Sequence, residues 1–339
     1  MADNPLCILI TIIVLAVGFG VVNGFNDAAN AIAPAIGSRA IRPNHALMIA
    51  VLANMAGAAT GTLVAKTIGK GILVPEAITY LTVIAALASI IIWGTLATYI
   101  GLPISLHHGF IAALASAGIA VAGGEAVVWG VMWWIVAAVG IAPLLGFSGG
   151  FLVMLSMHWI FRRSPPDTMR TVFSRLQLLT TTFMAYSHGK NDGQMPIGVI
   201  TMALVIFYND TSIWDRLSLS DVSTWWIIAV SALAISAGTA LGGRRVIKTV
   251  GMKMTTLRPP QGFAVQGAAA IVVEIASSFG MPVSTTHCIT ASVMGVGSST
   301  RFSAVRWVIA NKIVVAWILT FPVCGALGYI FASLLHKIF

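Results

Sequence analysis

Apolar positions along this chain fall in long unbroken runs rather than in stripes. Stretches 78–100, 126–157, 224–241 and 313–335 are each near or above the roughly 20 residues that carry a helix across a bilayer core. A run that is apolar on every side leaves no face for water, so each predicts a membrane-spanning helix. Gly, Pro and Asn recur between and within the runs and break several of them. The pattern predicts an all-α polytopic membrane protein of roughly 10–12 membrane segments, some of them broken.

Polar residues interrupt these runs in clusters. Between Asp3 and Arg39 the only charged side chain is Asp27, which stands in "NGFNDAANAIAP" (23–34) among Asn23, Asn26 and Asn30. A carboxylate near mid-membrane costs at least about 2–3 kcal/mol unless protein, water or an ion faces it. Asp27 therefore needs partners. The sequence supplies amide oxygens, and backbone carbonyls wherever Gly and Pro open the helix. A buried acid that only links helices would account for one such residue, but the cluster recurs. "SHGKNDGQMPIG" (187–198) repeats it at Gly189, Asn191 and Asp192.

Two further landmarks recur in the same order. "KTIG" (66–69) returns as "KTVG" (248–251), and "GLPISLHH" (101–108) returns as "GMPVSTTH" (280–287). The three offsets are 165, 182 and 179 residues, which places an insertion at the polar stretch 208–223. The chain thus reads as two transmembrane repeats, 1–161 and 176–339, joined by a short basic cytoplasmic linker at 162–175. The inserted stretch 208–223 reads as an extracytoplasmic loop.

Charge orients the repeats. The linker and segment 244–258 are basic, and Arg39 and Arg42 follow the first cluster. The inserted loop carries Asp210, Asp215 and Asp221 against Arg216 alone. Basic segments stay on the cytoplasmic side, so the loops after Asp27 and Asp192 fall on opposite sides. That is the mark of an inverted-topology repeat with broken helices. Lys66 and Lys70 fit this orientation poorly.

Composition narrows the class further. The 339 residues are 58% hydrophobic and 9% charged, against about 25% charged in soluble domains. A net charge of +9 would suggest nucleic acid in a soluble protein. Here it reads as cytoplasmic loops, with the lipid bilayer as partner and no nucleic acid. The first segment lacks a basic n-region and reads as a membrane helix, not a cleavable signal. Cys7, Cys288 and Cys324 show no metal-ligand spacing and read as packing residues. No cofactor is expected.

The second pair of motifs carries different chemistry. Pro followed by Ser and Thr, ahead of an apolar stretch, reads as a helix start. Its free N–H groups and hydroxyls suit an oxyanion. "PVSTTH" offers Ser284, Thr285, Thr286 and His287, whereas "PISLHH" offers only Ser105, His107 and His108. Two such ends beside two intramembrane carboxylates favour one shared site for an anion and a cation. Lys190 is a candidate partner for Asp192 or for an anion, with a simple salt bridge as the equal alternative. Glu274, whose repeat counterpart is Thr95, is a candidate proton carrier or a buried hydrogen-bonded acid.

These motifs resemble those of the inorganic phosphate transporter (PiT) family, whose members carry a duplicated G-x-N-D cluster and P-x-S-[ST]-[ST]-H loops. "GFNDAANA", "SHGKNDGQ" and "GMPVSTTHCITASVMGVG" carry the resemblance, which runs from about Thr11 to the end of the chain. It implies secondary uptake of inorganic phosphate with a monovalent cation, Na⁺ or H⁺, as coupling ion. Transport would proceed by alternating access between two inverted repeats, each with a re-entrant hairpin, in a multi-pass protein of the cell (inner) membrane. In that picture Asn26, Asp27, Asn30, Asn191 and Asp192 line the cation site. If the cation is Na⁺, its ligands are Asn26, Asp27, Asn191 and Asp192. Phosphate is met by Asp27, Asp192, Ser105, His108, Ser284, Thr285, Thr286 and His287. A homodimer is left open.

Two departures stand out: Leu106 and His107 occupy positions where members usually carry Ser or Thr, and Lys190 precedes the second N-D pair. The nearest alternative is the same fold serving sulfate or another oxyanion, although fully ionised sulfate has no proton to give an Asp. An intramembrane aspartyl protease, which needs two carboxylates sharing a proton, and a passive anion channel are the remaining readings.

Overall fold

The computed structural model describes residues 5–338. The first half of the chain folds as α1 (Pro5–Gly37), α2 (Pro43–Ala58), α3 (Leu63–Gly71), α4 (Tyr80–Ile100), α5 (Leu106–Ala122) and α6 (Trp129–Ile160). The second half follows as α7 (Pro166–Asp192), α8 (Gln194–Tyr208), α9 (Ile213–Arg216), α10 (Trp225–Leu241), α11 (Arg244–Lys248), α12 (Pro259–Ser278), α13 (Thr285–Thr300) and α14 (Trp307–Ile338). Among the described residues α1, α4, α6 and α14 are each long and apolar enough to cross a membrane. Two bent pairs raise the number to six: α2 with α3, bent by 65°, and α10 with α11 and the turn after it, bent by 61°.

The order of elements recurs along the chain. Pro143 lies inside α6 and Pro322 inside α14, 179 residues apart. Gly101 and Gly280, also 179 apart, both take a left-handed conformation with φ of 77° and 68°. Glycine reaches that region at little cost. It ends the first arm of each helical hairpin (α4 to α5, α12 to α13) and lets the chain turn toward the second.

Two stretches expected as connections are partly folded. Residues 162–175 are helical from Pro166 onward, because Pro in a first turn needs no N–H partner and Asp167 suits the positive end of the helix. Within 208–223 the short α9 forms, and Ile213, Trp214 and Leu217 are buried. Trp214 sits so tightly on Gly69 that a Cβ there would meet its ring at 1.9 Å. Asp215 pairs with Lys66 at 3.7 Å, and Lys70 stands 5.7 Å from the centre of the Trp214 ring. The two lysines that fit the charge orientation poorly therefore meet their counter-charge and an aromatic face locally.

Packing interlocks the halves. α1 lies along α10, α7 along α2, α6 along α13 and α14 along α5. Glycines bring these backbones together. A Cβ on Gly24 would stand 2.1 Å from the Ile235 carbonyl oxygen, and one on Gly238 would stand 2.0 Å from that of Val21. Lipid offers no hydrophobic drive between helices, so close van der Waals approach at small residues holds them. Two apolar cores result. Buried α1 residues up to Val22 belong to one core and those from Ala29 to the other. The polar stretch between them lies where the cores meet.

Candidate functional site

Both carboxylates are buried, each upstream of a proline. Asp27 is 2% exposed and Asp192 is fully enclosed. Pro34 and Pro196 have no N–H to give the carbonyls four residues earlier, those of Asn30 and Asp192. α7 ends at Asp192, and Gly193 separates it from α8.

The predicted helix starts fall where the hairpin motifs put them. Ser105 caps α5, its Oγ accepting from the His108 backbone N–H at 3.3 Å. Ser284 caps α13 and accepts from the His287 N–H at 3.1 Å. An N-cap hydroxyl satisfies one N–H of the first turn and leaves others free.

Each hairpin tip then reaches the carboxylate of the opposite half. Thr286, on α13, donates its hydroxyl to Asp27 Oδ1 at 2.8 Å and accepts from Asn30 Nδ2 at 2.7 Å. Its repeat counterpart, His107 on α5, places Nδ1 3.5 Å from Asp192 Oδ2. The remaining contacts are local or support these two. The Leu106 N–H donates to Asp27 Oδ2 at 3.4 Å, Asn23 donates to Asp192 Oδ2 at 3.0 Å, and His188 Nε2 lies 3.5 Å from the same oxygen. Asn26 donates to Thr98 Oγ1 at 2.6 Å, and Asn191 donates to Ser277 Oγ at 2.8 Å, 179 residues further along.

Not every candidate joins this network. His108 and His287 meet as tilted rings with centroids 5.1 Å apart; His108 stacks on Phe321, and His287 packs tilted against Trp317. Among the described residues their ring nitrogens have no hydrogen-bond partner, nor has the Thr285 hydroxyl. They form an apolar wall behind the tips, not a direct link to the carboxylates.

The chemistry follows from what is left unpaired. Asn23, Asn26, Asn30 and Asn191 each keep a buried side-chain carbonyl oxygen without a donor among the described residues, and so does Asp192 Oδ1. A buried acceptor without a partner costs about 1–3 kcal/mol, and such oxygens on the same two helices as the carboxylates suit a hard cation. Alkali cations take such oxygen ligands. Among the described residues no group of three or more His, Cys, Asp or Glu is placed to hold a metal ion. Two helix N-termini with their hydroxyls supply the complementary donors for an oxyanion.

A sequence model of the phosphate transporter family matches residues 23–328. The chain belongs to that family. It is a multi-pass transporter of the cell membrane and not an enzyme, so the intramembrane protease reading falls away. One relative is a probable low-affinity inorganic phosphate transporter of Bacillus subtilis (strain 168), 37% identical over 99% of this chain and 100% of that one. Another is a putative phosphate permease of Thermococcus kodakarensis, 31% identical over 95% of this chain and 96% of that one. The fold also matches a solved structure described as the sodium-dependent phosphate transporter. Its TM-score is 0.85 at 26% identity, over 98% of this chain and 100% of that one.

In this phosphate transporter family member Lys190 forms a salt bridge, one of the roles expected for it. Lys190 does not reach Asp192; its ammonium pairs with Glu274 and lies 3.4 Å from Ser278 Oγ. Glu274 also accepts from Ser187 at 3.2 Å, so it is a hydrogen-bonded, paired acid. The repeat counterparts of the pair are Phe25 and Thr95, so this strut between α7 and α12 exists in one half only.

Asn23 and His107, read from the sequence as polar candidates, join the network, whereas His188, Thr98 and Ser277 are absent from the expected site. Asn23 precedes Asp27 by four residues and His188 precedes Asp192 by four, so one helical turn places each beside or across from a carboxylate. That spacing is a usable signal. Thr98 and Ser277 are single hydroxyls in apolar helices, and only their 179-residue offset marks them.

Proposed function

We propose that this transporter carries inorganic phosphate into the cell by symport with a monovalent cation, by alternating access between the repeats 1–161 and 176–339. The observation that carries the reading is the crossed pair of contacts, Thr286 to Asp27 and His107 to Asp192. Thr286 ties one tip to the other half by a hydrogen bond and His107 holds the second tip within 3.5 Å of Asp192, so rocking one half against the other must change the contacts around the site. Asn26, Asp27, Asn30, Asn191 and Asp192 take the cation, whose charge offsets the incoming anion. Thr285 and Thr286, the caps Ser105 and Ser284, and the free N–H groups behind them take the phosphate oxygens. His108 and His287 shape the apolar wall.

Phosphate keeps a proton at neutral pH that a carboxylate can accept, whereas sulfate has none to give. The unpaired amide oxygens and the sodium-dependent relative of similar structure support Na⁺ as the coupling ion. His107 and His188, both beside Asp192, favour H⁺ as the second reading.

Proteoliposomes loaded with unlabelled buffer, with Na⁺ and pH gradients imposed separately, test this. Labelled phosphate is expected to accumulate against its gradient when Na⁺ alone is directed inward, with arsenate competing and sulfate not. Accumulation under a pH gradient alone moves the coupling to protons. Equilibration without accumulation under either gradient contradicts symport, and sulfate competing as well as arsenate contradicts the choice of anion.

A further inference from the structure

One cavity lies away from the carboxylates. It measures about 770 Å³ and sits between the C-terminal ends of α6 and α13 and the N-terminal ends of α7, α12 and α14. α13 runs the distance between the two places, from its cap at Ser284 to Thr300, about 24 Å at 1.5 Å per residue. Arg162, Arg258, Arg301 and Arg306 line the cavity, and no Asp or Glu does. Among the described residues none of the four arginines is ion-paired. Arg162 lies 5.9 Å from the Trp159 ring centre, and Arg306 donates to the Lys253 carbonyl oxygen at 3.3 Å. Pro166 and Pro260 bring the first turns of α7 and α12 to the lining, and those helix ends carry positive partial charge. Met157 and Met169 form part of an apolar wall.

The internal repeat serves as a control for whether the fold requires this charge. At the 179-residue offset Arg258, Arg301 and Arg306 correspond to Thr79, Ala122 and Val127. The equivalent connections of the first half carry Glu76 and Glu125 instead. The fold therefore closes without the arginines, and only the face bearing the basic segments 162–175 and 244–258 has them.

We propose that this cavity is a second anion site, separate from the transport site, which binds the phosphate of an anionic phospholipid headgroup in the cytoplasmic leaflet. The arginine forks match phosphate oxygens in a bidentate manner, and the methionine wall takes the start of the glyceride. Basic pockets between membrane helices on the cytoplasmic side recognise headgroups by this chemistry. A soluble polyphosphate offers the same phosphate oxygens without the apolar part, so it is the alternative source of the ligand.

The test uses the full chain in nanodiscs and reads lipid binding, so it does not depend on the transport reading. Native mass spectrometry counts phosphatidylglycerol retained from mixed phosphatidylglycerol and phosphatidylcholine. Retention is expected to fall by about fivefold for each arginine removed in R258Q, R301Q and their combination with R306Q. The variant R163Q/R170Q/R175Q removes three charges from the same face outside the lining and is expected to retain lipid as the unmodified chain does. Melting curves of both triple variants confirm that they fold. Displacement of phosphatidylglycerol by tripolyphosphate supports the shared phosphate chemistry, and arginine-dependent binding of tripolyphosphate alone assigns the soluble source. Equal losses in the two triple variants would show that binding follows net charge, and they overturn the proposal. So does the absence of arginine-dependent binding of either ligand.

Discussion

Asp27→Asn and Asp192→Asn each abolish cation-driven phosphate uptake while the protein remains folded. The amide keeps the shape of the carboxylate but removes its charge and one acceptor. At Asp27 the two oxygens receive the Thr286 hydroxyl and the Leu106 N–H, so an amide nitrogen in either place faces a donor. At Asp192 one oxygen meets Asn23, His107 and His188 together, and no single amide atom replaces it. Removing one partner from a buried charged set costs about 3–5 kcal/mol, which predicts at least a 100-fold loss of uptake rate. Initial rates in proteoliposomes, with gel filtration to establish folding, check this. Uptake within about threefold of the unmodified protein contradicts the site, by the same arithmetic.

The second large effect concerns assembly. Gly24→Val and Gly238→Val are expected to prevent α1 and α10 from closing, with a loss of more than about 3 kcal/mol. The atoms in the way are backbone: Ile235 O at 2.1 Å and the Thr239 nitrogen at 2.6 Å for Gly24, Val21 O at 2.0 Å for Gly238. No rotamer change relieves a clash of that kind. Gly130 has nothing within 4 Å of a built Cβ, so Gly130→Ala is expected to be neutral. The yield of monodisperse protein on gel filtration separates the cases, and normal yield from Gly24→Val contradicts the packing.

Much of this architecture was legible in the sequence because a bilayer leaves few choices. Unbroken apolar runs of spanning length became α4, α6, α10 and α14, and the repeated motifs gave the order of elements. The Pro-Ser motifs located the starts of α5 and α13, since the cap chemistry is local. Contacts between halves were not legible, because they depend on which helices interlock. Nothing in the local sequence says that Thr286 faces Asp27 while Asn23 faces Asp192. Lys190 shows the limit well: it is adjacent to the N-D pair, yet helical geometry turns it away from Asp192 toward α12 and Glu274. His107 looked like a defect in the anion motif. In the fold it takes the place of Thr286 beside the other carboxylate, 3.5 Å from Asp192, so the departure puts a different polar group at an equivalent position. The arginine cavity was visible only as basic segments, whose convergence required the ends of α6, α7, α12 and α13 in three dimensions.

On the proposed function, phosphate binds between the two hairpin tips, within reach of both carboxylate clusters. Arsenate, a tetrahedral analogue with an anomalous X-ray signal, locates that place directly when crystals are grown with it and the coupling cation. An anomalous peak is expected between the N-termini of α5 and α13, within hydrogen-bond distance of the Thr286 hydroxyl. A peak only among the arginines at the ends of α6 and α13, with none between the tips, would contradict it.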